Sequence, residues 1–195
     1  MTKLLSFRID LNKKYGLMLS GGLDSAILLG YLLQVNSKIN IQCFTIPKHD
    51  GAALYVNNII SFFNNRFKTE IKNTEFVGDP DVFHRLQSTI AVKEIFEKFE
   101  IDILLNALNR IPEELNSPSA PLRNKKSDHP KILLPFVDYL KTDIIQLAFD
   151  IGLEELFRIT HSCTEEKLTR CNQCWQCKER AWAFSKLNKI DTGKV

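Results

Sequence analysis

The sequence predicts an α/β fold: a doubly wound parallel sheet with helices on both faces, followed by a C-terminal metal-binding helical tail. Three observations lead there. Short apolar runs alternate with amphipathic stretches from Tyr15 to Phe149, the pattern that builds a parallel sheet. The first apolar run breaks into Ser20-Gly21-Gly22-Leu23-Asp24-Ser25 and passes straight into a helical stretch. Four of the five cysteines crowd into fifteen residues near the C-terminus, which suits a metal better than a disulfide framework. With 195 residues, 44% of them apolar, the chain can fill a real core. The expected division is an α/β unit over residues 1–157 and a tail over 158–195 packed on it.

In chain order, Leu4 to Ile9 alternates weakly and reads as an edge strand. Tyr15 to Leu19 is the first core strand, and Asp24 to Gln34 the first helix, with Ile27, Leu28 and Leu32 on its buried side. Ile39 to Thr45 is a second buried strand; Cys43 within it has no neighbour to lower its pKa and reads as a small core hydrophobe. Asp50 caps an amphipathic helix from Ala52 to Asn64. Glu70 to Val77 is the third strand, and Gly78-Asp79-Pro80-Asp81 stops it. The helix from Val82 to Phe99 carries Phe83, Leu86, Ile90, Ile95 and Phe99 near one stripe. Ile101 to Leu108 is the fourth strand. Arg110 to Lys131 is a long irregular stretch with four prolines, of a length that marks a functional cover or a disordered segment. Ile132 to Phe136 is the last strand, and the helix after it ends at Gly152.

The Ser20–Ser25 loop is built to hold phosphate. Paired glycines let the backbone approach a ligand closely, and the helix start that follows attracts anions through its free N–H groups. Ser20 and Ser25 add hydroxyls. Asp24 is a carboxylate where phosphate should sit, so a divalent cation, Mg²⁺, is expected between them. In an open parallel sheet the ligand lies at the C-terminal ends of the strands, which brings Phe44 and Thr45 beside a nucleotide base. Arg85 in the first turn of the third helix is either a phosphate contact or a surface arginine.

Cys163, Cys171, Cys174 and Cys177 are spaced C-x7-C-x2-C-x2-C. Two-residue gaps let neighbouring thiolates turn onto one metal, and the fourth thiol closes a tetrahedral Cys₄ zinc site with no open position. An iron–sulfur cluster is the competing occupant. His161 is read as a neighbour of the cluster.

Composition excludes little more. Net charge is +3, and residues 1–120 balance at 13 basic against 13 acidic, so the excess sits in the last 75. Nucleic acid is therefore not the expected partner, although the asymmetry leaves a polyanion open. No stretch reads as a membrane span, and Met1 to Lys14 is too charged for a signal peptide, so the expected location is the cytoplasm.

The loop matches all five specified positions of Ser-Gly-Gly-x-Asp-Ser, the signature of the PP-loop ATP pyrophosphatases, and the whole resembles their Rossmann-like fold. In that family ATP is cut between its α- and β-phosphates and AMP goes onto a substrate oxygen. The Pro135 to Asp143 segment resembles the family's late ATP-side segment, which makes Lys141 a second phosphate ligand and, with Asp24, a catalytic group. Ser162-Cys163 and Cys171-x-x-Cys174-x-x-Cys177-x-x-Arg180-Ala181-x-Ala183-Phe184 resemble the 7-cyano-7-deazaguanine synthase (QueC) family of queuosine biosynthesis. The middle departs from that pattern. Thr45-Ile46-Pro47-Lys48-His49 stands where the family has Asp-Tyr-Gly-Gln-x-His, and the family's glycine after the fourth strand and its Asp-Cys-Arg are absent from Asn106 to Lys131.

The resemblance implies an ATP-dependent ligase using ATP, Mg²⁺ and Zn²⁺, with a 7-carboxy-7-deazaguanine-like acid and ammonia as partners and a homodimer left open. A PP-loop enzyme that modifies tRNA, or a nucleotide sensor or scaffold that keeps the fold, are the alternatives.

Overall fold

The structure, a computed structural model, describes residues 9–117, 120–121, 127, 129–165 and 169–193, apart from the side chains of His84 and Arg85. The strand expected over Leu4 to Ile9 lies almost wholly outside them.

Five parallel strands form one sheet in the order β3-β2-β1-β4-β5: β1 (Tyr15–Met18), β2 (Ile41–Thr45), β3 (Glu75–Phe76), β4 (Ile103–Leu105) and β5 (Ile132–Leu133). The largely buried β1 and β2 pair in register, with Tyr15 opposite Ile41 and Met18 opposite Phe44. The helices are α1 (Leu23–Val35), α2 (Val56–Phe67), α3 (His84–Lys98), α4 (Lys141–Asp150), the single turn α5 (Leu156–Ile159) and α6 (Trp175–Lys186). The chain winds from β1 outward to β3, crosses back through α3 and resumes at β4. The strand order therefore reverses between β1 and β4, and the crevice above their carboxyl ends is the natural ligand site of such a sheet.

Two cores flank the sheet. On one face α1, α2, α4, α5 and α6 enclose Leu17, Ile27, Phe63, Ile144 and Phe184; on the other, α3 covers Phe44, Val77, Ala91, Ile95 and Leu104. No helix of the described residues is long and apolar enough to cross a membrane.

Three expectations need correction. α1 is buried nearly all round, beyond Ile27, Leu28 and Leu32, because α2, α4 and α5 pack about it. The third strand shrinks from Glu70–Val77 to two residues. Asn64 instead binds the preceding segment, donating to the Ile71 carbonyl at 2.8 Å and accepting from the Ile71 amide at 2.9 Å. The stripe on α3 holds only in part: Ile95 is buried and Phe99 packs on the core as expected, but Phe83, Leu86 and Ile90 are exposed and Gln87 and Ala91 face the sheet in their stead. Small Ala91 lets the helix close on Gly78, while Glu94 accepts from the Gly78 amide at 2.6 Å and Gln87 donates to the Pro80 carbonyl at 3.0 Å. Polar pinning and close approach thus override the larger apolar side chains.

Candidate nucleotide site and thiol cluster

The Ser20–Ser25 loop follows β1 after Leu19. Gly21 takes φ +81°, a left-handed conformation that favours glycine, and its carbonyl accepts the His161 amide at 2.9 Å. Buried Ser25 pins the turn: its hydroxyl accepts from the Ser20 amide at 3.2 Å and donates to the Gly22 carbonyl at 3.3 Å. α1 then starts with its dipole directed at the loop.

A cavity of about 320 Å³ opens over this loop, within the range of small-molecule pockets. Ser20, Gly22, Leu23, Asp24 and Ser25 form its floor, and Asn106 to Asn109, just past β4, form one side. Its position is the crevice where the strand order reverses.

Inside the cavity stands a row of charges. Lys141, the first residue of α4, is 5% exposed; its Nζ lies 2.5 Å from Asp24 Oδ2 and 3.5 Å from Glu179 Oε2. Asn109 Nδ2 donates to the other Glu179 oxygen at 3.0 Å. Asp24 Oδ1 is buried with no hydrogen-bond partner among the described residues. A buried carboxylate oxygen without a donor, at the mouth of a glycine turn and a helix start, fits a hard divalent cation such as Mg²⁺.

The sequence brought Asp24 and Lys141 forward, and the structure joins them across 117 positions. It also adds Glu179, which sequence reasoning missed because Lys178-Glu179-Arg180 reads as a solvated charged run. The one signal was its place on a helix whose next residues, Arg180, Ala183 and Phe184, make a buried face. Lys48, Asp50, His161 and Gln176 also line the cavity.

Other expectations fare differently. Phe44 lines the cavity, but its carbonyl accepts the Leu19 amide at 2.8 Å. Thr45 does not line it: its hydroxyl donates to the Leu19 carbonyl at 2.7 Å and pairs with Thr74, and its carbonyl accepts the Val77 amide at 3.0 Å. Both carbonyls thus already accept one bond each within the sheet and its flanks. The Arg85 side chain lies outside the described residues. Cys43 is buried, and burial pushes its thiol up to about 12, as befits a core residue.

The far wall belongs to the tail. The sulfur atoms of Cys163, Cys171, Cys174 and Cys177 lie within 4.8 Å of one another, and Cys163 itself lines the cavity. The Cys171 amide donates to Cys163 Sγ at 3.4 Å, and the Cys174 amide to Cys171 Sγ at 3.2 Å. Burial opposes ionisation of Cys174, yet hydrogen bonds centred on Thr164 and Cys177 outweigh it and bring the thiol to about 6. Burial raises Cys163 and Cys177. Four convergent sulfurs, with backbone amides turned toward them, fit a tetrahedral metal or a small cluster.

His161 is not part of that group. Its ring stacks on Tyr55 at 5.2 Å, and burial lowers its pKa against the pull of Asp50.

Arg180 is the tail's anchor. Fully buried, it donates to both Asp191 oxygens at 2.8 and 2.9 Å, to the Phe157 carbonyl at 2.8 Å and to Ser162 Oγ at 3.2 Å. Burial would raise the Asp191 carboxyl, but hydrogen bonds from Arg180 and Arg170 hold it at about 2. These contacts fix the strand of chain that delivers Cys163 to the loop.

Residues 105–188 match the family described as queuosine biosynthesis protein QueC. The match includes the segment lacking the family's glycine and Asp-Cys-Arg. The chain is 28% identical to 7-cyano-7-deazaguanine synthase of Prochlorococcus marinus (strain MIT 9515), over 90% of this chain and 95% of that protein. It is 32% identical to the synthase of Sulfurihydrogenibium sp. (strain YO3AOP1), over 37% of this chain and 32% of that one. Among solved structures, the U34-tRNA thiolase NcsA from Methanococcus maripaludis with its [4Fe-4S] cluster is similar at 17% identity and a TM-score of 0.51. The superposition covers 92% of this chain and 68% of that one, a likeness of fold.

Proposed function

We propose that this chain, whose residues 105–188 match the QueC family and whose relatives include 7-cyano-7-deazaguanine synthases, is an ATP-dependent ligase that adenylates the carboxylate of a 7-carboxy-7-deazaguanine-like acid and carries it through the amide toward the nitrile. The observation that carries the reading is the convergence in one cavity of the phosphate loop, the Asp24–Lys141 pair and the thiol-bearing tail.

A carboxylate resists attack by ammonia because oxide is its leaving group. Transfer of AMP from ATP to a carboxylate oxygen, with release of pyrophosphate, converts that group into a stable anion. Ammonia then attacks the carbonyl carbon, the C–O bond to AMP breaks, and one proton leaves as the amide forms. A second ATP activates the amide oxygen in the same way; loss of AMP and of both amide protons leaves the nitrile.

None of this needs a protein nucleophile. The chain's part is positioning and charge stabilisation. The backbone of Gly21 to Ser25 and the start of α1 receive the departing pyrophosphate. Lys141 offsets charge on the phosphates. Asp24, with Oδ1 unpartnered, holds Mg²⁺, which when bound supplies Lewis-acid neutralisation of the phosphate oxygens. Zinc held by Cys163, Cys171, Cys174 and Cys177 closes the tail over the site as a structural clamp.

The test is to incubate the protein with ATP, Mg²⁺, ammonia and 7-carboxy-7-deazaguanine and to look by mass spectrometry for AMP with amide or nitrile. AMP release that depends on the acid is expected. ATP cleavage indifferent to the acid, with neither product, refutes the substrate, and absence of any ATP binding refutes the nucleotide site.

A further inference from the structure

Asp24, Lys141 and Glu179 come from three separate elements, the phosphate loop, the start of α4 and the middle of α6, and meet with side chains 20%, 6% and 1% exposed. Two carboxylates contact one ammonium, and the buried Arg180 guanidinium adds its field at Asp24. A buried carboxylate oxygen left without a donor is unfavourable unless a donor or cation joins it. The unpartnered Asp24 Oδ1 shows which of the two is open to one, whereas Glu179 is held by Lys141 on one oxygen and Asn109 on the other.

We propose that Glu179 is a positioning residue that keeps Lys141 in place when the divalent cation that accompanies the nucleotide takes the open oxygen of Asp24; this rests on the ATP-site reading. With Asp24 alone, Lys141 would form a one-to-one pair. A divalent cation on Oδ1 would then weaken that pair and set a second positive charge beside a buried ammonium. With Glu179 present Lys141 keeps a full partner, and its Nζ stays at the cavity wall, available to phosphate. Glu179 sits two residues beyond Cys177 on α6, so the metal-binding tail supplies a working part of the nucleotide site as well as a wall.

The experiment uses the full chain with its tail metal and follows Mn²⁺ in place of Mg²⁺ by its paramagnetic resonance signal, with ATP present. Glu179→Gln keeps size and removes charge. Its Mn²⁺ affinity in the presence of ATP is expected to fall about tenfold or more, while ATP affinity without metal changes by no more than about threefold, because only cation binding at Asp24 is affected. Glu179→Asp should recover part of the loss. Asn109→Ala, which removes one of the contacts that hold Glu179 and leaves α6 and the thiols unchanged, should move Mn²⁺ affinity in the same direction by a smaller factor.

A Glu179→Gln protein that binds Mn²⁺ and ATP as wild type does, or weakens ATP equally with and without metal, overturns the proposal. Should that variant lose its tail metal, Asn109→Ala decides, and unchanged Mn²⁺ affinity there overturns it. Wild-type protein that binds no ATP at all brings down the nucleotide reading, and this one with it.

Discussion

Replacing Gly21 with alanine would place a methyl carbon 1.9 Å from the carbonyl oxygen of Ala52 and 2.7 Å from its carbonyl carbon, at a residue whose φ is +81°. The obstacle is backbone and cannot rotate away. The left-handed conformation costs an alanine about 1–2 kcal/mol. Forcing a methyl into a filled space adds about 1–3 kcal/mol. Together these predict a loss of about 2–5 kcal/mol, which for a chain of this size lowers Tm by about 5–15 °C. Gly22 is the internal control. Its φ is −83°, and a methyl there meets Ser20 Oγ at 3.3 Å and the His161 carbonyl at 3.6 Å, both tolerable. Gly22→Ala should keep Tm within about 2 °C of wild type. It should still weaken ATP turnover, because the methyl projects where Gly22 lines the cavity. Thermal denaturation followed by circular dichroism, with ATP–pyrophosphate exchange on the same samples, separates the two. If Gly21→Ala melts with wild type, the packing of the loop against Ala52 is wrong and the argument fails.

Three further outcomes are expected. Ser25→Ala removes the partner of the Ser20 amide and should lower ATP turnover by about 10²-fold, measured by pyrophosphate exchange; full activity would remove Ser25 from the site. The Asp191 carboxyl titrates at about 2 when folded against an ordinary 3.8, so it contributes about 2 kcal/mol that is fully present above about pH 4 and lost as pH falls toward 2. Urea titrations across that window should show the loss in wild type, and Asp191→Asn should abolish that component while lowering stability at neutral pH. Elemental analysis of anaerobically prepared protein should find one zinc per chain in a colourless sample, lost on changing any of the four cluster cysteines to serine; iron with inorganic sulfide would assign the thiols to a cluster instead.

The glycine turn after the first strand and the convergence of the four thiols were legible in the sequence because each depends on residues close along the chain. A strand, two glycines and a helix start present free backbone amides at a tight turn, and two-residue gaps place neighbouring thiols on one centre. The alternation of strand and helix likewise dictated the parallel sheet, and with it the crevice above the strands' carboxyl ends. Tertiary structure alone decided the rest. Phe83, Leu86 and Ile90 face solvent while Ile95 of the same stripe is buried, because Gly78, Glu94 and Ala91 fix the helix by polar bonds and close approach, terms that apolar periodicity does not contain. Thr45 is taken by the sheet because Thr74 and Val77 arrive beside it from 29 and 32 positions away. Above all, Asp24, Lys141 and Glu179 meet only where a loop and two helices cross. A charged triplet such as Lys178-Glu179-Arg180 reads as surface until packing withdraws water from two of its members, and that desolvation is a property of the assembled layers, not of any local stretch.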